Sequence, residues 1–300
     1  MSDLPETERR NPESTHLDAL DTSAVLRLMN EADRTVPGAV ERALPQIARA
    51  VELLVGSWRR GGRWVYVGAG TSGRLAALDA AELPPTFGVD PERVVALLAG
   101  GEQALLHPIE GAEDDVEAAG RDLDEIGLSR RDVVVGVAAS GSTPYTVAAV
   151  RRAAEAGCAT VGISCVPGSE LGRAADVGIE VVTGPEILTG STRLKAGTAQ
   201  KMVLNMLSTA SFVRLGRVYE NLMVDVQATN EKLRRRARRI VGEAAGVSDE
   251  EAGRLLREAD GSAKLAVVMA LCDVGREEAA ALLRESGGMV RRAVERHRTS

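Results

Sequence analysis

The chain has 300 residues, of which 44% are hydrophobic and 27% charged, and its formal net charge is −6. This length and composition predict a folded globular protein with one large domain or two modest ones. The acidic balance and an aromatic content of only 2% argue against a general nucleic-acid-binding protein.

Cysteine usage and the terminal sequence narrow the class further. Cys158, Cys165 and Cys272 stand in no C-x-x-C arrangement, so we expect reduced, mostly buried thiols and neither a zinc site nor a disulfide framework. The N-terminus lacks an apolar signal core, and no run of about 18 apolar residues occurs. We therefore expect a soluble cytoplasmic protein that uses no metal or other cofactor.

The first 60 residues predict a helical arm. Residues 1–14 are rich in charge, Pro and Ser, and we predict that they are disordered. Asp21 offers an N-cap to a short helix that includes Met29, and apolar residues at helical spacing predict a longer helix over 38–58. We expect this arm to pack on the following sheet or on a second subunit.

From Trp64 onward, short apolar segments alternate with helical ones. The predicted strands cover 64–68, 94–98, 132–138, 159–164 and 178–182. Apolar runs without polar alternation are typical of parallel strands that are buried on both faces. The pattern therefore predicts an α/β fold with a doubly wound parallel sheet, whose ligands bind beyond the carboxyl ends of the strands.

The first strand leads into residues 68–73, GAGTSG, which match the dinucleotide pattern G-x-G-x-x-G. A dinucleotide site also needs an acidic residue at the end of the next strand, about 20 residues on, where this chain has residues 99–101, AGG. Thr71 and Ser72 beside exposed amides suit a single phosphate monoester better than a pyrophosphate. A dinucleotide is therefore the weaker interpretation.

A helix over 75–82 follows, and we expect the pair 84–85, PP, to end it.

Two further loops combine hydroxyl side chains with a helix start. Residues 140–144, SGSTP, follow the third strand, and residues 189–197, TGSTRLKAG, precede a helix predicted over 198–215. Each loop alone is typical of a capped helix. Three such loops at one edge of a sheet favour a phosphorylated polyhydroxy ligand.

The C-terminal part is predicted to be helical throughout. A helix from Asn221 to Ile240 carries an arginine cluster at 234–239, which we assign to a solvated or dimer-facing flank. Gly246 marks a domain boundary, so that the domains are 15–246 and 247–300. Ser248 and Glu251 form a capping box. The helices predicted after it cover 250–258, 262–272, 276–284 and 288–296.

Several longer motifs carry a family resemblance. The loops at 70–72 and 140–143 look like those of a sugar isomerase (SIS) domain, the phosphosugar-binding fold. The matching segments, in order, are 35–37, 68–74, 82–88, 110–114, 195–201 and 221–225. Together they resemble the N-acetylmuramic acid 6-phosphate etherase family over roughly residues 13–296.

The resemblance implies an activity and an assembly. Enzymes of that family remove the D-lactyl ether from the sugar phosphate, giving N-acetylglucosamine 6-phosphate and D-lactate in peptidoglycan recycling. It also implies a homodimer with active sites near its interface, and a small C-terminal helical domain similar to ubiquitin-associated folds. No nucleic-acid or membrane partner is implied.

Two glutamates match the catalytic positions of the family. Glu82 is assigned as the acid that protonates the leaving lactyl oxygen, a role that requires partial burial to raise its pKa. Glu113 is assigned as the second catalytic residue, a base at C2 of the opened sugar. Without the resemblance, Glu82 is typical of a surface helix and Glu113 of an acidic helix start, and which glutamate plays which role stays open.

The remaining candidates would hold the substrate and its phosphate. They are Gly70, Thr71, Ser72, Ser140, Ser142, Thr143, Glu186, Ser191 and Lys195. The family more often has Arg at position 142. Glu186 is expected to contact sugar hydroxyls, and Lys195 either balances ligand charge or forms an ion pair. Two other functions stay open: an aldose–ketose isomerase, and a non-catalytic sugar-phosphate sensor resembling the glucokinase regulatory protein.

Overall fold

The computed structural model describes residues 4–227 and 230–299. These residues form two compact units. The first comprises the chain up to Ala81 together with Pro91–Ser208, and the second comprises Glu82–Asp90 and the chain from Thr209 onward. The boundary that we predict at Gly246 falls inside the second unit.

The elements alternate between helix and strand as the sequence predicts. Up to the last strand they are α1 (Thr22–Asp33), α2 (Val36–Arg42), α3 (Leu44–Arg59), β1 (Trp64–Gly68), α4 (Gly70–Phe87), β2 (Val94–Leu98), α5 (Val116–Glu125), β3 (Val133–Val137), α6 (Pro144–Glu155), β4 (Ala159–Ser164), α7 (Glu170–Ala174) and β5 (Val177–Glu180). They are followed by α8 (Lys195–Arg214), α9 (Glu231–Ala245), α10 (Asp249–Glu258), α11 (Ala263–Cys272), α12 (Arg276–Glu285) and α13 (Val290–Thr299).

The sheet is parallel throughout, with the strand order β2-β1-β3-β4-β5. Every residue of β1 and β3 is buried, which explains why these strands read as unbroken apolar runs. All five predicted strands are confirmed, each within two residues of its expected bounds. The predicted α/β class with a parallel sheet is therefore confirmed.

The N-terminal arm differs from the prediction in two respects. Disorder is predicted over 1–14, but residues 4–14 contain two short 3₁₀ turns, and the Asn11 side chain donates to the carbonyl of Pro185 over 3.3 Å; residues 1–3 lie outside the described part of the chain. The helix expected over 38–58 is two helices, α2 and α3, divided at Ala43. Pro45 lies in the first turn of α3, where its missing N–H is tolerated, whereas it would interrupt one continuous helix.

The helix after β1 does not end before Pro84 and Pro85, so that prediction is wrong. Both prolines lie inside α4, which continues to Phe87. Their fixed φ is compatible with a helix, although each lacks an amide donor. The last turn is retained because Leu83 and Phe87, one turn apart, are both buried, and the Phe87 ring stacks on Phe212 at 4.7 Å.

The helix predicted from Asn221 is wrong over residues 221–227, and residues 228–229 of the prediction lie outside the described part of the chain. A short antiparallel bridge joins Tyr219 to Leu222, and the buried side chains of Val224 and Val226 enter the core of the second unit. The chain makes a turn at Val224 and Asp225 and is not helical there. Helix α9 begins after Asn230, whose side chain accepts from the N–H of Leu233 over 2.9 Å.

The four C-terminal helices lie close to their predicted bounds. Ser248 accepts from the N–H of Glu251, and Ser262 accepts from that of Leu265, both over 3.2 Å. The apolar faces of α9 to α13 share one core.

All three cysteines are buried, as predicted. In the described part of the chain, no helix combines the length and hydropathy needed to cross a membrane.

An ion pair with a buried carboxylate ties the amino end of β3 to that of β1 inside the first unit. Asp132 is 1% exposed, its carboxylate pairs with Arg63 at 2.8 Å, and it accepts the N–H groups of Arg63 and Ser129. Burial by itself raises the pKa of Asp132, but the hydrogen bonds from Arg63 and Ser129 outweigh it and hold the pKa below its usual range.

We expect Asp132→Ala to lower the free energy of unfolding by about 2–3 kcal/mol near neutral pH, because Arg63 and two N–H groups lose their acceptor. Since the folded-state pKa is lowered, this stabilisation is present above the unfolded-state pKa and is lost as the pH falls through the folded-state value. Urea unfolding of both proteins at several pH values measures the difference.

Glu117→Ala is the control, because Glu117 is 90% exposed and pairs with an exposed Arg121 at 3.6 Å. It should change the unfolding free energy by less than about 0.5 kcal/mol. The assigned role of the carboxylate is contradicted if the difference in unfolding free energy between the wild type and Asp132→Ala stays constant as the pH becomes acidic.

Candidate functional site

The carboxyl ends of the strands meet at one edge of the sheet. Gly68 at the end of β1 is in register with Leu98 of β2 and Val137 of β3, and Val137 is in register with Ile163 of β4. The loops that follow these strands therefore leave the sheet side by side. Two of the three predicted hydroxyl loops begin here.

The first loop brings α4 unusually close to the sheet. A Cβ on Gly73 would lie 2.1 Å from Leu98 Cδ1 and 2.7 Å from the carbonyl oxygen of Gly68. Glycine at position 73 is therefore needed for helix–strand packing, in addition to any role at a ligand. Gly70 is exposed with φ of 52°, and α4 begins there. Thr71 is half-buried.

The Ser72 hydroxyl is held from the opposite helix. Ser72 is 7% exposed, and its Oγ donates to Oε1 of Gln200 on α8 over 2.9 Å. Gln200 is 1% exposed, and its amide nitrogen has no hydrogen-bond partner among the described residues. A Cβ on Gly197 would lie 3.6 Å from Thr71 Cγ2. The first turns of α4 and α8 therefore contact each other.

The second loop has one exposed hydroxyl residue, Ser142, between the half-buried Ser140 and Thr143. Ser140 Oγ accepts from the N–H of Ser142 at 3.3 Å and from Ser142 Oγ at 3.1 Å. Ser142 is exposed and lines an open cavity of about 510 Å³ together with Pro144 and Arg151. Thr143 is the N-cap residue of α6, but its side chain makes no capping hydrogen bond. The Thr143 hydroxyl is therefore not used in capping.

The third loop is organised by a buried carboxylate. Glu186 is fully buried, and its two oxygens accept the N–H groups of Lys195 at 3.1 Å and Ala196 at 2.9 Å. Burial raises the pKa of Glu186, although these two hydrogen bonds and the Lys195 charge oppose the shift. The carboxylate caps α8, which explains why this helix begins at Lys195 and not at the predicted Thr198.

Lys195 is also used inside the protein. Lys195 is only 7% exposed, and its ammonium donates to the carbonyl of Thr183 over 2.7 Å. Ser191 is half-buried, and its N–H donates to the carbonyl of Leu188. Glu186 and Lys195 thus make internal contacts in the structure, whereas the sequence predicts that Glu186 contacts sugar hydroxyls.

A polar cluster lies two turns further along α4. Asp79 is 6% exposed and accepts hydrogen bonds from Tyr66 of β1 at 3.1 Å, Asn205 at 2.9 Å and Ser208 at 3.1 Å. Burial raises the pKa of Asp79, and these hydrogen bonds partly offset the rise. Burial, followed by the nearby carboxylate, raises the pKa of Tyr66. The cluster ties α4 to both β1 and α8.

The two predicted catalytic glutamates are accessible. Glu82 lies in the last two turns of α4 and is exposed, so the described residues do not supply the partial burial that we predict for it. Glu113 is exposed within a 3₁₀ turn, Ala112–Asp114. Glu82 belongs to the second unit and Glu113 to the first. No group of three metal-ligating side chains was found in 4–227 or 230–299.

Comparison with known proteins defines the family. The model of the glucokinase regulatory protein N-terminal SIS domain matches residues 46–154, and that of the SIS domain matches residues 112–210. An N-acetylmuramic acid 6-phosphate etherase of Geobacillus thermodenitrificans is 56% identical over 96% of this chain and 98% of its own. The etherase of Mycolicibacterium smegmatis is 60% identical over 88% of this chain and 89% of its own.

The chain belongs to the N-acetylmuramic acid 6-phosphate etherase family. It is thus a member of a family of enzymes built on a SIS domain. A solved phosphoheptose isomerase of Francisella tularensis shares the fold, with a TM-score of 0.50 and 17% identity over 65% of this chain and all of that one.

Sequence reasoning misses two of the buried polar residues, Gln200 and Asp79. Gln200 lies inside the segment that carries the family resemblance, but nothing in its spacing says that it faces Ser72. Asp79 reads as one acidic residue in an otherwise apolar helix segment, and that single buried charge was the available signal. Both contacts join residues more than 120 positions apart, so only the tertiary structure brings them together.

Glu186→Ala should lower the unfolding free energy by about 1–2 kcal/mol, since two N–H groups of α8 lose their cap. Chemical denaturation near neutral pH measures the change, and Glu125→Ala, at an exposed glutamate of α5, is the matched control. Unchanged stability together with lost ligand binding would contradict capping and restore the sequence-based assignment to sugar contact.

Proposed function

We propose that this chain is an N-acetylmuramic acid 6-phosphate etherase, which converts its substrate and water into N-acetylglucosamine 6-phosphate and D-lactate. The observation that carries the proposal is the identity of 53–60% over most of the chain with several proteins of that name. The convergence of hydroxyl-bearing loops at the carboxyl edge of a parallel sheet supports a sugar-phosphate ligand.

The reaction that we propose is an elimination followed by an addition, which makes the enzyme a carbon–oxygen lyase. In the opened sugar, the C2 proton is acidic because it lies next to the C1 aldehyde. A base removes this proton, the bond between C3 and the lactyl oxygen breaks, and an acid protonates the departing oxygen. Water then adds its hydroxide to C3 and a proton to C2. Proton transfers suffice for every step, so the proposal includes no cofactor.

Glu82 and Glu113 are the proposed acid and base. A carboxyl that acts as an acid near neutral pH needs a raised pKa, which desolvation supplies. Because both side chains are exposed in the single chain, we propose that the bound substrate and a second subunit complete their burial. The active protein is accordingly a homodimer, located in the cytoplasm where sugar phosphates are metabolised.

We propose that the first two loops bind the phosphate group of the substrate. The N–H groups of the first turn of α4 point towards an anion with favourable polarity, and Ser72 lies in the same turn. Ser140, Ser142 and Thr143 add hydroxyl donors from the neighbouring strand, with Ser191 beside α8. Glu186 and Lys195 contribute indirectly, because they determine where α8 begins.

Incubation of the purified protein with N-acetylmuramic acid 6-phosphate tests the activity. We expect D-lactate and N-acetylglucosamine 6-phosphate in equal amounts. Ketose formed from a hexosamine phosphate without lactate would favour an isomerase, and binding without turnover would favour a sensor. Sedimentation of the same preparation tests the dimer.

Glu82→Gln and Glu113→Gln should each reduce lactate release by at least about 100-fold, because general acid–base groups contribute roughly 10²–10⁴ in rate. Binding of N-acetylglucosamine 6-phosphate and thermal stability should stay near those of the wild type, since both side chains are exposed. Glu125→Gln on α5 is the matched control. A variant that keeps wild-type turnover would remove its glutamate from the mechanism.

A further inference from the structure

The contact between Ser72 and Gln200 leaves the site with a mismatch of donors and acceptors. Ser72 donates its only hydroxyl proton to Gln200 Oε1, so its oxygen is left with acceptor capacity alone. A phosphate dianion accepts hydrogen bonds and donates none. In this arrangement Ser72 offers the phosphate no donor.

The nitrogen of the same amide indicates how this mismatch is resolved. Gln200 Nε2 is buried and has no hydrogen-bond partner in the described part of the chain, which is costly for an amide donor. A half-turn of the Gln200 amide about its last torsion exchanges its oxygen and nitrogen. The nitrogen then donates to Ser72 Oγ across the same 2.9 Å, and the Ser72 proton is released to point elsewhere.

We propose that Gln200 is a positioning residue for the phosphate site. With ligand bound, its amide nitrogen donates to Ser72 Oγ and thereby directs the Ser72 hydroxyl proton to a phosphate oxygen. The proposal rests on the proposed function for the chemistry of the ligand, a sugar 6-phosphate. It assigns Gln200 no direct contact with the sugar.

The surrounding contacts separate this role from simple packing. Asp79 is seven residues after Ser72 and joins α4 to Asn205 and Ser208 of α8. This second connection, about two helical turns from the first, keeps the helices together when the Gln200 amide is removed. A variant at Gln200 therefore changes the orientation of the hydroxyl more than the spacing of the helices.

Titration calorimetry with N-acetylglucosamine 6-phosphate tests the proposal without requiring turnover. Gln200→Met keeps the length of the side chain and removes its hydrogen bonds, so we expect Kd to rise about 10-fold. Ser72→Ala should weaken binding at least as much. The double variant should bind no more weakly than Ser72→Ala, because Gln200 acts only through Ser72.

Gln200→Glu supplies a pH signature that packing would not produce. An ionised Glu only accepts the Ser72 proton and adds negative charge, so Kd in mild alkali should exceed the wild-type value by more than about 10-fold. As the pH falls, a protonated Glu can donate to Ser72 Oγ, and the ratio of the two Kd values should shrink. The wild type measured at each pH corrects for titration of the phosphate itself.

Gln46→Met is the matched control, because Gln46 on α3 also has a buried amide atom that finds no partner among the described residues. It should bind with the wild-type Kd, and thermal melts should show that all variants are folded. If Gln200→Met binds with wild-type affinity, or if the effects add in the double variant, the role of Gln200 is overturned. The phosphate site of the proposed function is not affected by either outcome. A wild type that does not bind, or Ser72→Ala that binds normally, would overturn the phosphate site of the proposed function and this role with it.

Discussion

The close approach of α4 to the sheet is the constraint on which the rest of the first unit depends. No side chain fits at Gly73, where a Cβ would overlap Leu98 and the Gly68 carbonyl. With α4 held at this distance, Tyr66 of β1 reaches Asp79, and Asp79 in turn reaches α8. One packing contact and the polar cluster that follows it therefore position the strand, the two helices and the Ser72 hydroxyl.

Burial divides the polar residues of the carboxyl edge into two groups. Glu186, Lys195 and Asp79 are buried and make internal hydrogen bonds, and they position helices. Ser142 and Glu113 are exposed and accessible to a ligand or a second subunit. A polar residue type in a loop does not distinguish these roles, because a capping carboxylate and a ligand-binding carboxylate are the same group in different surroundings.

The differences between the predicted and observed helices share a cause. Local signals indicated a stop at Pro84 and a continuous helix from Asn221, and both were wrong within the described residues. In each case burial of apolar side chains outweighs the local preference: Phe87 prolongs α4, and Val224 draws a turn segment into the core. The helix starts at Ser248 and Ser262 were predicted well because a capping hydrogen bond needs only neighbours in sequence.

The amino-acid sequence by itself determined the five strands, their parallel arrangement, the loops at their carboxyl ends and the family resemblance. Those features depend on apolar runs, glycines and motifs that are local in the chain. Only the tertiary structure decided that Glu186 caps α8, that Gln200 holds the Ser72 hydroxyl, and that Asp79 joins α4 to α8. These contacts depend on which helices pack together at close range, and a hydrogen bond between distant residues leaves no periodic trace in the sequence.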